Sequence, residues 1–271
     1  MNNYLLYLTK LRISSYNLCN YLKCFPDNCK ALFLDFPTDL EGSIEKYFYR
    51  EISVKKLWNY FQELTDLKEP YINALKYAMN PILEYLPDFL DKVSNLKLYC
   101  YQDLYFFKNN MDLNEKYLLL TYRVKATNKI EIPEWRNLLY DEVETGKAYY
   151  LKNLSYILRN LNENGGNIII FRNFIKKLRD ELLRIKKSKL KTIYLMNYWR
   201  SPLEYLLFQV FLKNKVSDNL IKICVKEHVR YIDFILTSNS LDDAHLKWSK
   251  SKFKFNIYSN KLIRHKKCSG I

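Results

Sequence analysis

Two short apolar segments constrain the fold of this chain most. ALFLDF at 31–36 and NIIIF at 167–171 are nearly continuous runs of apolar side chains. Strands that are covered on both faces have this composition, and such strands belong to parallel sheets. YLLYLT at 4–9 reads as an earlier strand, and apolar residues at helical spacing over 13–22 separate it from ALFLDF. A strand, a helix and a second strand in quick succession indicate a parallel α/β sheet.

The middle of the chain continues this alternation. KLYCYQ at 97–102 and IYLM at 193–196 are predicted to be strands, and amphipathic segments over 38–94 and about 134–164 are predicted to be helical. Thr38 and Glu41 have the spacing of a capping box. Pro70, Pro81 and Pro87 are expected to divide the helical segments, because proline lacks the N–H that a helix interior needs.

The fold class predicted from these elements is α/β, a mostly parallel sheet with helices on both faces, followed by a smaller basic, mainly helical domain. The boundary is expected near residue 198. Residues 1–198 would form a Rossmann-like α/β domain. Residues 199–271 would form a basic helical domain, for which a winged helix is the candidate architecture.

The glycine pair at 165–166 raises the question of a nucleotide-binding loop. A phosphate-binding loop places its glycines after the strand, so that backbone N–H groups at the start of the next helix approach the ligand. Here the glycines precede the strand, where they suit the end of a helix, and residues 171–174 contain no glycine. We therefore expect no nucleotide cofactor.

The supply of catalytic and metal-binding side chains is small. Three cysteines, Cys19, Cys24 and Cys29, stand five residues apart, whereas zinc sites begin from tighter pairs. The three histidines lie far from them, at 228, 245 and 265. We predict no metal, no cofactor and no catalytic residue. A carboxylate-metal nuclease remains the enzymatic alternative, and its candidate ligands are Asp35, Asp39, Asp103, Glu142 and Glu144.

Positive charge is concentrated towards the C-terminal end of the sequence. The net charge is +15, and residues 184–271 carry 19 lysines and arginines against 6 acidic residues. An asymmetry of this kind creates a local positive field suited to phosphates or another anionic surface. The alternative is a solvated lysine-rich face that serves solubility.

Residues 199–271 resemble a winged helix-turn-helix. SPLEYLLFQVFLKN opens with a serine cap and a proline at the first helical position, KVSDNLIKI is similar to the start of a second helix, and LKWSKSKFKF alternates like a wing. Trp248 and Phe253 would pack the wing. Such a domain lays basic residues along phosphates. With the basic helix after the fourth strand, the predicted nucleic-acid-binding residues are Arg172, Lys176, Arg184, Lys186, Lys187, Lys222, Lys226, Arg230, Lys250, Lys252, Lys254, Arg264, Lys266 and Lys267.

Residues 1–185 resemble a divergent member of the TraB/ChaN-like (Tiki-type, erythromycin-esterase-like) superfamily. LYLTKLR, ALFLDFPTDLE, EWRNLL and NIIIFRNFIKKL occupy the places of its four motifs in order. The histidines of that family are missing: Thr9 and Arg12 stand in the first motif and Phe171 and Phe174 in the last, Asp35 replaces a glutamate, and Arg136 matches in kind. The resemblance implies a scaffold that has lost its hydrolytic site. Rossmann-like ligand-sensing domains joined to winged helices have the same order of strands and helices.

The function predicted from these features is non-enzymatic nucleic-acid binding, regulatory or accessory, with DNA favoured over RNA. A degenerate hydrolase or a carboxylate-metal nuclease is one alternative, and a subunit of a larger nucleoprotein assembly is another. Protein partners or a homodimer remain open. No apolar run approaches the roughly 18 residues of a membrane span, and the N-terminal residues lack the pattern of a signal peptide. The expected location is the cytoplasm.

Overall fold

The structure, a computed structural model, divides into two compact units. It describes residues 2–7, 12–23, 28–93, 95–161, 167–172, 189–194, 202–213 and 215–249. We call the described residues of 2–107, 151–172 and 189–194 the sheet unit, and those of 108–150 and 202–249 the helical unit. The predicted division into residues 1–198 and residues 199–271 stays a prediction.

In the part of the chain that the structure describes, five parallel strands form the sheet, in the order β3-β2-β4-β1-β5. They are β1 (Asn2–Tyr7), β2 (Cys29–Pro37), β3 (Lys97–Gln102), β4 (Asn167–Arg172) and β5 (Lys189–Tyr194). The predicted α/β class is confirmed. The last strand was predicted at 193–196, but it begins at 189 because it pairs with the whole of β1, from Asn2 opposite Lys189 to Tyr7 opposite Tyr194.

The two apolar segments form the centre of the sheet. Leu32 of β2 pairs with Ile169 of β4, and both residues are fully buried. Three consecutive isoleucines of β4, residues 168–170, are at most 1% exposed. Since consecutive side chains point to opposite faces of a sheet, β4 is covered on both faces.

Among the described residues, six helices lie wholly or partly in the sheet unit. They are α1 (Arg12–Leu22), α2 (Glu41–Phe48), α3 (Val54–Thr65), α4 (Glu69–Lys92), α5 (Leu104–Thr127) and α6 (Ile132–Leu161), and α5 and α6 contribute residues to both units. The connections from β1 to β2 and from β2 to β3 run the same way across the sheet, and α1 packs on α4. The connections from β3 to β4 and from β4 to β5 run the other way. Parallel crossovers are right-handed, so connections that run in opposite directions pass over opposite faces of the sheet.

Helix α4 passes through two prolines that were expected to end helices. Pro81 and Pro87 both lie inside its 24 residues. Pro87 has no N–H for the carbonyl of Leu83, four residues earlier. The Tyr47 hydroxyl of α2 donates to that carbonyl at 2.9 Å. The prediction that these prolines end helices was therefore wrong, and at Pro87 a residue distant in sequence replaces the missing hydrogen bond.

The predicted capping box is wrong as well. Thr38 begins a short 3-10 helix, Thr38–Leu40, and α2 has no side-chain cap. The Glu41 carboxylate instead accepts the backbone N–H of Cys100 in β3 at 2.6 Å. Strand β3 is at the edge of the sheet. Glu41 thus satisfies a donor that an edge strand would leave open.

Within its described residues, the helical unit holds the later part of α5, the first part of α6 and three further helices, α7 (Pro202–Lys213), α8 (Asp218–Thr237) and α9 (Leu241–Ser249). Helix α8 packs on both α7 and α9. Trp248 was expected on a wing, but it lies in α9 and its ring packs on Tyr231 of α8 at 5.6 Å between centroids. Residues 246–249 therefore belong to a helix, and the alternating pattern predicted for the wing does not begin at Leu246. Within the described ranges, no helix is long and apolar enough to cross a membrane.

Candidate nucleic-acid interface

The structure describes the side chains of three predicted binding residues, Lys222, Lys226 and Arg230, and all three lie on α8. Arg172 ends β4, and only its backbone is described. The rest of the predicted set lies outside the described residues: Lys176, Arg184, Lys186, Lys187, Lys250, Lys252, Lys254, Arg264, Lys266 and Lys267.

The three cations form a row along α8, which we call the α8 row. Each follows the one before by four residues, so they are neighbours on the helix surface and span about 12 Å along its axis. All three are exposed. The row continues into Phe234, whose ring centroid is 5.7 Å from the Arg230 Cζ atom. A guanidinium over an aromatic face is favourable and limits the positions that the arginine adopts.

Three local contacts hold α8 in place. The Ser217 side chain accepts a hydrogen bond from the N–H three residues on, which confirms the predicted cap. Asp218, the first residue of α8, forms an ion pair with Arg136 of α6. Near the other end, Asp233 pairs with Lys125 of α5. These acids are therefore engaged with the neighbouring helices and leave the α8 row as a cationic surface.

One acidic side chain does accompany the row. Glu227 Oε1 lies 3.8 Å from Arg230 Nη1, and the Glu227 side chain is only 16% exposed. This pair reduces the effective charge at one end of the row. Among the described residues, neither Lys222 nor Lys226 takes part in an ion pair. These two lysines are therefore the cations of the row that no described acidic side chain neutralises.

The C-terminal charge excess is not spread over the helices of the helical unit. Residues 202–249 contain six basic and six acidic residues. The excess comes from 184–200, with six basic and no acidic residues, and from 250–271, with seven and none. The structure describes only the backbone of 189–194 in these two segments, where it forms β5. The α8 row is thus a small cationic feature between two strongly basic segments.

The carboxylates considered for a metal site do not gather. Asp35 is in β2, Asp39 is in the 3-10 helix after it, and Asp103 follows β3 and pairs with Lys152. Glu142 and Glu144 belong to the helical unit. In the part of the chain that the structure describes, no group of three or more His, Cys, Asp or Glu side chains is arranged to hold a metal ion.

A small pocket lies at the carboxyl ends of β2 and β4. The two strands lead into connections that run in opposite directions, which is where open α/β sheets bind ligands. The cavity volume is about 10 Å³, room for about one water molecule, whereas ligand pockets measure about 300–1,000 Å³. Its walls are apolar apart from one carboxylate: Leu34, Asp35, Phe36, Met79, Ile82, Leu83, Leu86 and Phe171.

The sequence did not point to a buried polar group inside the helical unit. His228 of α8 is 6% exposed and meets the Trp135 ring of α6 edge-on, with 6.3 Å between centroids. The centroid of the Tyr117 ring of α5 lies 6.0 Å from the centroid of the Trp135 ring. Burial, together with the nearby Glu142 carboxylate, raises the pKa of Tyr117 well above its ordinary value. The sequence signal that could have revealed this burial is the position of His228 on the apolar stripe of α8.

Residues of the family motifs occupy ordinary structural positions. Arg12 begins α1, Phe171 is buried in β4, and Arg136 pairs with Asp218. Thr9 and Phe174 lie outside the described residues. The molecule belongs to the class of parallel α/β proteins, here with an additional helical unit. Comparison with protein-family models, with curated proteins and with solved structures finds no match for this chain. The TraB/ChaN-like and winged-helix resemblances remain predictions.

Proposed function

We propose that this protein binds nucleic acid through a cationic surface that includes the α8 row. The exposed row of Lys222, Lys226 and Arg230 carries the proposal. Cations four residues apart on one helix can follow a phosphate backbone, because each charge neutralises a phosphate and releases counterions. The two basic segments on either side of the helices, 184–200 and 250–271, supply most of the attraction.

This surface is suited to contact with the backbone. Lysines act as point charges towards phosphate, and phosphate contacts orient a protein without reading sequence. Arg230, stacked on Phe234 and paired with Glu227, is the most restrained cation of the row. The proposed activity is therefore regulatory or accessory binding with weak sequence preference, and duplex DNA is the favoured ligand.

The test is a binding titration of the full chain with fluorescent duplex DNA, duplex RNA and single-stranded DNA, from about 50 mM to about 200 mM salt. The variant K222Q/K226Q/R230Q removes the row. We expect weaker binding and a decrease of about 3 in the slope of log affinity against log salt, about one per lost phosphate contact.

A matched control removes the same charge elsewhere. K46Q/K55Q/K92Q changes three exposed lysines of the sheet unit. It should leave the slope nearly as in the wild type. An equal loss in both variants would mean that only net charge matters, and salt-independent binding by the wild type would rule out the proposal. A third variant, K250Q/K252Q/K254Q, tests the basic segment after α9.

A further inference from the structure

His228 is a buried side chain whose hydrogen-bonding groups are unused within the described structure. Neither Nδ1 nor Nε2 has a hydrogen-bond partner there. A neutral imidazole carries one N–H donor and one acceptor, and buried polar groups normally have partners. His228 lies between Cys224 and Tyr231 on the buried stripe of α8, and the Trp135 ring of α6 covers it.

The groups around His228 offer little compensation for a positive charge. Glu227 precedes it, but Glu227 Oε1 pairs with Arg230 at 3.8 Å, and Oε2 has no hydrogen-bond partner among the described residues. Burial raises the pKa of Cys224 to about 12, so that its thiol stays neutral. The titratable groups of this unit's helices that are not exposed include Tyr117 of α5, Glu142 of α6, Tyr205 of α7, and Cys224, Glu227 and Tyr231 of α8. Among the charged groups, Asp218 and Asp233 of α8 pair with Arg136 of α6 and Lys125 of α5, and Asp243 and Lys247 of α9 pair with each other.

We propose that His228 is an acid-sensitive lock of the helical unit: the neutral ring holds α8 against Trp135 of α6, and protonation of the ring releases α8. The unlocked state exposes His228 to water, where the imidazolium is solvated, and it breaks the contact with Trp135. Because the α8 row lies on the same helix, acidification also disturbs the position of Lys222, Lys226 and Arg230. The lock itself does not depend on the proposed function.

The direction of the pH effect follows from burial. Burial lowers the pKa of His228 to about 3 from an ordinary value of 6.5. Below pH 6.5 the open state therefore takes up a proton that the closed state excludes, and proton uptake favours opening. Stability that is complete above pH 6.5 is lost progressively as the pH falls towards 3. Asp and Glu side chains titrate mainly at lower pH than histidine does. A change in stability just below pH 6.5 therefore reports mainly the titration of histidine.

Hydrogen exchange of the full chain tests the lock at about pH 7.5 and about pH 5.5, with correction for the effect of pH on intrinsic exchange rates. In the wild type we expect protection of the α8 amides to fall about tenfold between these two pH values, as linkage to one histidine requires. His228→Phe keeps a planar ring without a titrating group, and its protection should change much less. His245→Phe, a histidine of α9, serves as the control and should behave like the wild type.

Two results would overturn the proposal: equal loss of α8 protection in the wild type and in His228→Phe, or loss of the pH effect in His245→Phe. If His228→Phe does not fold, NMR titration of the histidine rings in the wild-type protein decides the matter. One of the three rings should remain neutral at about pH 5.5, and three rings that all titrate near pH 6.5 would contradict a closed lock.

Discussion

Ion pairs at the surface join distant parts of the chain in both units, and the sheet unit adds buried hydrogen bonds to them. In the sheet unit, buried side chains donate to backbone carbonyls far away in sequence: Ser15 to Ala78 at 2.5 Å and Tyr101 to Phe171 at 2.5 Å. In the helical unit, ion pairs at partly exposed side chains, such as Arg136 with Asp218, connect distant parts of the chain. The buried Thr121 hydroxyl of this unit donates to the preceding turn of its own helix, at the Tyr117 carbonyl.

Because of this difference, the two units should respond to different substitutions and solution conditions. Hydrogen bonds inside a core are shielded from salt, and removing one partner leaves a buried group unsatisfied. Exposed ion pairs contribute little and are screened. The sheet unit should therefore respond to single hydroxyl deletions, whereas the helical unit should depend on apolar packing around Trp135 and respond to pH through His228.

The largest effect should come from removing a core tryptophan in either unit. Trp135→Ala in the helical unit and Trp58→Ala in the sheet unit each delete a ring that is at most 3% exposed, at a cost of about 3–5 kcal/mol. Hydrogen exchange should show that Trp135→Ala loosens α8 and the end of α5 while β2 and β4 keep their protection. Uniform loosening of both units would show that they unfold together and would remove the comparison.

A smaller effect should follow from deleting the Tyr47 hydroxyl. Tyr47→Phe leaves the Leu83 carbonyl without the hydrogen bond that Pro87 cannot supply. We expect a loss of about 1–3 kcal/mol in the free energy of unfolding, measured by urea denaturation. Tyr49→Phe, at a side chain that is 67% exposed, is the matched control and should change stability by less than about 0.5 kcal/mol. Equal effects would mean that the carbonyl finds another donor.

The smallest effects should come from the surface ion pairs. Arg136→Gln breaks the contact with Asp218 in the helical unit, and Arg50→Gln breaks those with Asp88 and Asp91 in the sheet unit. Each should cost about 0.2–1 kcal/mol at low salt and less at high salt. A salt-independent loss above this range for Arg136→Gln would show that the contact acts as a buried pair, which would sharpen the contrast between the units.

Much of the fold followed from local patterns. The central strands were predictable because runs such as residues 167–171 exclude a water-facing side, and the Ser217 cap and the Pro202 helix start are local signals. The α8 row was also visible as basic residues four apart. The continuous α4 was not predictable, since its tolerance of Pro87 depends on Tyr47, 40 residues earlier in the chain. Helix α9 was missed because alternation beyond residue 249 was extended back over Leu246 and Trp248.

By itself, the sequence determined the parallel α/β class, the basic character of the segments around the last helices, and the positions of the cations on α8. Periodicity and charge are properties of neighbouring residues, so they can be read without coordinates. Only the tertiary structure decided that Glu41 serves a distant strand, that Arg136 holds the start of α8, and that His228 is enclosed beside Trp135. Those outcomes depend on which surfaces meet when the chain packs, and residues far apart in sequence carry no local mark of it.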